Sequence, residues 1–222
     1  MPLVVLEGVD ASGKATQAER LYLRLMYEQK KVKRITFPNY KSEASAPVKL
    51  YLSGAFGKTA GEVNPYAASA FFAVDRYASY KQYWKEFLDE GGIVIADRYV
   101  TSNFIHQASK IADPKERQAY LDFQYDFEYN KLGLPKPDAV IFLDVPPQVS
   151  IALIEDRANK FTGHKEHDIH EKDDMYIIDS YNNAVDIAKK YGFITIECAK
   201  DGSLLPIEEI SDKIYEALEA FF

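Results

Sequence analysis

After a strand-like run at Leu3–Glu7, the chain reads Gly8-Val9-Asp10-Ala11-Ser12-Gly13-Lys14-Ala15-Thr16, the spacing G-x-x-x-x-G-K. It then places Ala18, Leu21 and Leu25 on one helical face. Strand, glycine-bounded loop, lysine and helix in that order constrain the fold more than any other feature of the chain. The loop's backbone N–H groups converge at a helix N-terminus, where an anion is favoured, and Lys14 reaches the terminal phosphates of a nucleoside triphosphate. Residues 8–16 are therefore expected to cradle ATP or GTP. The position after the lysine, where a Ser or Thr hydroxyl usually meets Mg²⁺, is Ala15. Thr16 is no simple replacement, because it points about 100° further round the helix. Two readings stay open: an ion held mainly by phosphates and water, and a protein that binds nucleotide without catalysis.

Four more β-branched or aliphatic runs follow, at Val32–Thr36, 93–96, 139–143 and 193–197, each separated by a segment of helical period. This alternation predicts an α/β fold of three layers: a five-stranded parallel sheet with helices on both faces. At 222 residues the chain suits one domain. Asn64-Pro65 opens a long helix that Gly91-Gly92 closes, over about 65–90; Asp113-Pro114 opens another that ends at Gly133. Ile207, Ile210, Ile214, Leu218 and Phe221 form the apolar stripe of a closing helix. Residues 156–174 are crowded with charge and histidine and predict a short lid.

A net charge of −7 argues against a nucleic-acid or acidic-membrane partner. No apolar run approaches the roughly 20 residues of a membrane span, no secretion signal opens the chain, and Cys198 is the single cysteine. A soluble, cytoplasmic protein is expected.

Asp97-Arg98-Tyr99 ends the third strand, where ligands gather in open α/β sheets. Arg98 can fork between two phosphates, and Asp97 can hold a metal-bound water or orient Arg98. Ser69, Phe72 and Arg76 share a helical face that offers a ring to stack on a base and a guanidinium for its carbonyl oxygens. His164, His167 and His170, with Glu166 and Asp168, read either as a zinc or nickel site or as a solvated charged flap.

Over nearly its whole length the chain resembles the thymidylate kinase family. The matching pieces are Leu6-Glu7-Gly8-Val9-Asp10, Gly13-Lys14, Phe37-Pro38, Tyr51-Leu52, Phe72-Ala73-Val74-Asp75-Arg76, Asp97-Arg98-Tyr99 with Ser102, Gly133-Leu134-Pro135-Lys136-Pro137-Asp138 and Phe142-Leu143-Asp144. The resemblance implies ATP and dTMP as substrates, Mg²⁺ as cofactor and a homodimer. It implies that Phe72 stacks on thymine, that Arg76 reaches a base carbonyl, and that Asn103 and Gln107 line the base pocket. Phe37 joins this substrate set, Asp10 accepts from the 3′-hydroxyl, and Arg98 bridges the acceptor phosphate and the migrating group. With Ala11 in the loop and Arg157 in the flap, the chain is similar to members that use lid arginines, so Lys14, Arg98 and Arg157 form the catalytic set. Two departures stand out: Asn39-Tyr40-Lys41 replaces a stretch that often holds an acceptor-phosphate arginine, and His106 stands where an aromatic residue packs near the sugar.

Overall fold

The computed structural model describes residues 2–155, 169–171 and 173–222. Strand β1 (Leu3–Glu7) is buried at every position, as a strand covered on both faces must be. It lies at the centre of a parallel sheet of order β2-β3-β1-β4-β5, with β2 at Val32–Thr36, β3 at Ile93–Asp97, β4 at Ala139–Asp144 and β5 at Ile194–Glu197. The expected five parallel strands are present. Alternate residues of β1 feed two cores. Val4 and Leu6 pack with Leu21 and Leu25 of α1 (Lys14–Tyr27) and with residues of the closing helix. Leu3 and Val5 share the other face with Phe104, Tyr120 and Ala184. Helices therefore cover both faces, giving three layers.

The start signals act as read. Asn64 accepts from the Tyr66 N–H at 2.8 Å at the head of a helix that follows the short α2 (Ala46–Leu52). Asp113 accepts from the Lys115 and Glu116 N–H groups at 2.9 Å. Neither long helix is uniform, however. The 65–90 run divides into α3 (Pro65–Ser79), a π turn at Tyr80–Trp84 and α4 (Lys85–Asp89). The run after Asp113 divides, beyond α5 (Thr101–His106), into α6 (Pro114–Tyr125) and a π turn at Asp126–Lys131. Each π turn widens the helix locally and re-aims a side chain inward. The first buries Trp84, and the second buries Glu128.

Helices α7 (Pro147–Glu155) and α8 (Asp174–Tyr191) stand before and after the expected lid segment, most of which lies outside the described residues. A small hairpin, β6 (Ala199–Lys200) with β7 (Ser203–Leu204), precedes α9 (Ile207–Leu218). Only part of the predicted α9 stripe is covered: Ile210, Ile214 and Leu218 are buried, each worth about 1.5–3 kcal/mol. Ile207 and Phe221, at and beyond the helix ends, remain exposed. The functional consequence of this architecture is at the carboxyl edge of the sheet, where β1, β2 and β3 deliver Gly8, Thr36 and Asp97 to one cavity's neighbourhood.

Candidate active site

The loop after β1 is shaped by two glycines. A Cβ on Gly8 would lie 2.6 Å from the Ser12 hydroxyl and 3.0 Å from the Leu143 carbonyl oxygen, so only glycine fits. Gly13 is left-handed at φ 85° as it caps α1, and Ala11 is left-handed at φ 57°. Alternating backbone hand of this kind turns successive N–H groups toward a common centre. Buried Lys14 donates from Nζ to the Val9 carbonyl oxygen at 2.6 Å and to the Ser12 hydroxyl at 3.2 Å. Ala15 and Thr16 are exposed, and both line the cavity that opens above the loop.

That cavity has a volume of about 770 Å³. It is lined by Asp10, Lys14 and Ala15 of the loop region, by Phe72 and Arg76 of α3, by Asn103, His106 and Gln107 in and just after α5, and by Arg98, Phe37 and Asp97. Every expected substrate residue among the described ones thus lines a single cavity. Phe37 contributes from the core: it is buried, with its ring 6.1 Å from that of Tyr99. Phe72 is half-buried, its ring edge-on to Tyr51 at 6.1 Å.

Beside the loop, Arg98 has a left-handed backbone at φ 67°, a conformation costing on the order of 1 kcal/mol for a non-glycine residue. Its Nη2 donates to Asp10 Oδ1 at 2.6 Å, and its Nη1 lies 2.7 Å from His106 Nε2. Burial opposes the guanidinium charge, but Asp10, Glu7 and Asp97 outweigh it and hold Arg98 protonated. Behind this arginine, fully buried Glu7 accepts from the Tyr99 N–H at 3.1 Å, the Thr101 hydroxyl at 2.7 Å and the Ser102 hydroxyl at 2.8 Å. Burial raises the Glu7 pKa, and Arg98 and the two hydroxyls act against that rise. Glu7 ties the end of β1 to the start of α5 and so fixes the turn that carries Arg98. The sequence signal for Glu7 is an acid ending an apolar strand, and its bracing role emerges only from the fold. Asp97 accepts from the Thr36 hydroxyl at 3.4 Å.

On α3, Arg76 is almost fully buried. Its Nε and Nη2 donate to the two oxygens of Glu128 at 2.6 Å each, and Nη1 donates to the Tyr99 carbonyl oxygen at 3.3 Å. Glu128 also accepts from Asn103 Nδ2 at 3.1 Å and from Gln124 Nε2. The predicted face of α3 thus reaches the cavity, but its guanidinium is held by a partner 52 residues away. Ser69, on the same face, bonds to the Tyr120 hydroxyl at 2.6 Å instead of lining the cavity. Gln107 is buried with its Oε1 unpartnered among the described residues, an acceptor at the cavity wall.

A third polar group was not anticipated. Lys110 Nζ donates to the Tyr51 hydroxyl at 2.7 Å, and that hydroxyl lies 2.8 Å from His170 Nε2. Burial lowers the Lys110 pKa to about 7 and the His170 pKa to about 3. His170 is thereby neutral and buried against α2, and its ring lies 4.6 Å from Tyr176. Of the histidine run, His164 and His167 lie outside the described residues, as does Arg157. Among the described residues no cluster of three His, Cys, Asp or Glu side chains could hold a metal ion, and no helix is long and apolar enough to cross a membrane.

Comparison with known proteins places this geometry. The sequence model of the thymidylate kinase family matches residues 6–214. Thymidylate kinase of Mycobacterium tuberculosis is 29% identical over 202 residues, covering 90% of this chain and 86% of the relative. A probable thymidylate kinase of Pyrobaculum aerophilum is 31% identical over 157 residues, 71% of each chain, and human thymidylate kinase is 28% identical over 144, 64% and 60% respectively. With its phosphate loop, Asp97-Arg98 turn and α3 residues on one cavity, the chain is a member of the thymidylate kinase family of phosphotransferases.

Proposed function

We propose that this site carries out its family's reaction on a thymine nucleotide. A 5′-phosphate oxygen of dTMP attacks the γ-phosphorus of ATP, the bond to the bridging oxygen breaks, and dTDP and ADP leave. The observation that carries this reading is that one cavity is lined together by Lys14 of the loop, Arg98 at the strand end, and Phe72 and Arg76 of α3. A donor phosphate chain on the loop and a base at Phe72 put the two reacting phosphates beside Arg98.

The acceptor phosphate has a second pKa near 6 and is largely dianionic at neutral pH, so no strong general base is needed. Positioning and charge neutralisation suffice. Lys14, now satisfied by the Val9 carbonyl oxygen, turns to the β/γ oxygens. Arg98 exchanges Asp10 for phosphate, which frees the Asp10 carboxylate to accept from the sugar 3′-hydroxyl. Arg157, outside the described residues, is the cation that the lid adds. Phe72 offers a ring face to the pyrimidine, and Arg76, Asn103 and Gln107 offer its edge donors and an acceptor.

Mg²⁺ fits this donor set in one arrangement. Ala15 supplies no hydroxyl, whereas Asp97 reaches the cavity with the Thr36 hydroxyl beside it. The two can hold the ion's water while the phosphates supply direct oxygens. When bound, the ion neutralises phosphate charge. The reading extends to a cytoplasmic homodimer, supported by an aromatic surface on α3 and α6, where Tyr66 and Phe123 lie 4.9 Å apart and are each about 40% exposed.

Incubating the protein with γ-labelled ATP, Mg²⁺ and dTMP tests the reading. Labelled dTDP should form in step with ADP. ATP binding with no product from any nucleoside monophosphate would replace it with a nucleotide-binding role, which Ala15 keeps as the second reading.

A further inference from the structure

His106 closes α5 and is buried on the cavity wall, with its Nε2 2.7 Å from Arg98 Nη1. A guanidinium carries donors and no acceptor. Nε2 must therefore be the bare nitrogen, and the ring proton sits on Nδ1. Nδ1 is itself buried and has no hydrogen-bond partner among the described residues. Among the described residues the ring's one hydrogen bond is therefore the one to Arg98.

Among the described residues three groups hold the Arg98 side chain: Asp10, His106 and, in a long contact of 3.5 Å from Nη1, the Gly8 carbonyl oxygen; they differ in charge. Asp10 is anionic, so it competes with any phosphate for the same guanidinium. His106 is neutral: burial first, then Arg98, His170 and Lys14, oppose its protonation, and Asp10 alone favours it. A neutral acceptor fixes the direction of the guanidinium without cancelling its charge. The backbone of His106 is held in turn, since the Tyr176 hydroxyl donates to its carbonyl oxygen at 2.9 Å. Nearby, Asn183 Nδ2 donates to the carbonyl oxygens of Phe104 at 2.8 Å and Ile105 at 2.6 Å. The ring is thus mounted on a braced helix end, while Arg98 sits on a left-handed turn.

We propose that His106 is a positioning residue for phosphoryl transfer: its bare Nε2 keeps the Arg98 guanidinium aimed across the cavity when the Asp10 contact is exchanged for phosphate. A purely hydrocarbon ring at this position could pack but could not accept the bond. The inference rests on the phosphate role proposed above for Arg98.

Three measurements test it. Long-range ¹H–¹⁵N NMR on histidine-labelled wild-type protein should show His106 protonated at Nδ1 and bare at Nε2. His106→Phe should lower kcat by more than about tenfold with a smaller change in KM for dTMP, because aim is lost and the base pocket is kept. His106→Gln, whose Oε1 can reach the Nε2 position and accept, should recover most of that loss. A proton found on Nε2, or equal losses in the Phe and Gln variants, would overturn the inference. Arg98→Ala separates the two levels. Full activity without Arg98 would remove its phosphate role, whereas an inactive Arg98→Ala beside a fully active His106→Phe would sink the positioning role alone. The NMR test needs no variant, so misfolding of either substitution leaves the inference open to refutation.

Discussion

Two arginines line the same cavity and are built in opposite ways. Arg76 stands on a regular helix, is paired through two nitrogens with Glu128, and shares that carboxylate with Asn103 and Gln124. Arg98 stands on a left-handed turn, touches one oxygen of a partly exposed aspartate, and leans on an uncharged imidazole. A buried, doubly bonded ion pair gives a fixed surface, because breaking it leaves an uncompensated charge. An ion pair with one contact to a carboxylate at the cavity can be exchanged for phosphate at little cost. The Arg76 pair is therefore built to stay, and the Arg98 pair is the one that can change partners.

The largest expected effect lies at the pair that changes partners. Arg98→Ala should lower kcat about 10³-fold or more, as removal of a charge-stabilising arginine does in phosphoryl transfer, with a smaller fall in the thermal midpoint than Glu128→Ala causes. Steady-state rates beside a melting curve measure both, and a shift in melting without a shift in rate would reverse the roles assigned to the two arginines.

At the fixed pair the damage should be to stability. Glu128→Ala strands the buried Arg76 charge and should cost about 3–5 kcal/mol in denaturant unfolding, whereas Asp10→Ala, which leaves Arg98 its contact to His106 and the nearby Glu7 and Asp97 carboxylates, should cost less. Equal costs would erase the contrast.

Lys110 sharpens the comparison, being a partly buried amine whose hydrogen bond among the described residues goes to the uncharged Tyr51 hydroxyl. The unfolded chain binds its proton below pH 10.5 and the folded chain only below about 7. Between those values the unfolded state holds more protons, so stability contributed at this site rises with pH. Lys110→Met should remove that dependence, flattening the difference in unfolding free energy by about 1–3 kcal/mol between pH 7 and 10. A wild-type and variant pair with parallel pH profiles would mean that Lys110 is not desolvated as the structure has it.

The smallest effect concerns Ala15. Ala15→Ser restores a hydroxyl at the head of α1 and should tighten apparent Mg²⁺ affinity several-fold in nucleotide-binding titrations. No change would place the ion away from this helix.

Much of this was legible beforehand. Parallel strands buried on both faces must be short apolar runs, so β1 to β5 stood out between segments of helical period, and Asn64-Pro65 and Asp113-Pro114 carried their helix starts in the residue types themselves. The phosphate loop was legible because its chemistry needs glycine and lysine at fixed spacing. What stayed hidden was pairing across distance. Nothing near Arg76 indicates Glu128, because a π turn has no residue signature and only that turn points the carboxylate inward. The His106 contact to Arg98 depends on how α5 leaves the strand end, and the Lys110, Tyr51 and His170 group joins three separate segments. Periodicity also overextended the α9 stripe to Ile207 and Phe221, since it predicts a face but not where the neighbouring layer stops.

Acceptor choice tests the account most directly, because it asks whether the cavity reads a thymine. The values of kcat/KM for dTMP, dUMP and dGMP should be measured with ATP and Mg²⁺ in one assay. dTMP should be the best substrate. dUMP, which lacks only a methyl contact, should be poorer by about 10-fold to 200-fold, and dGMP should fall far below both, since a purine leaves the Arg76, Asn103 and Gln107 edge unmatched. A purine monophosphate used as well as dTMP would contradict the account.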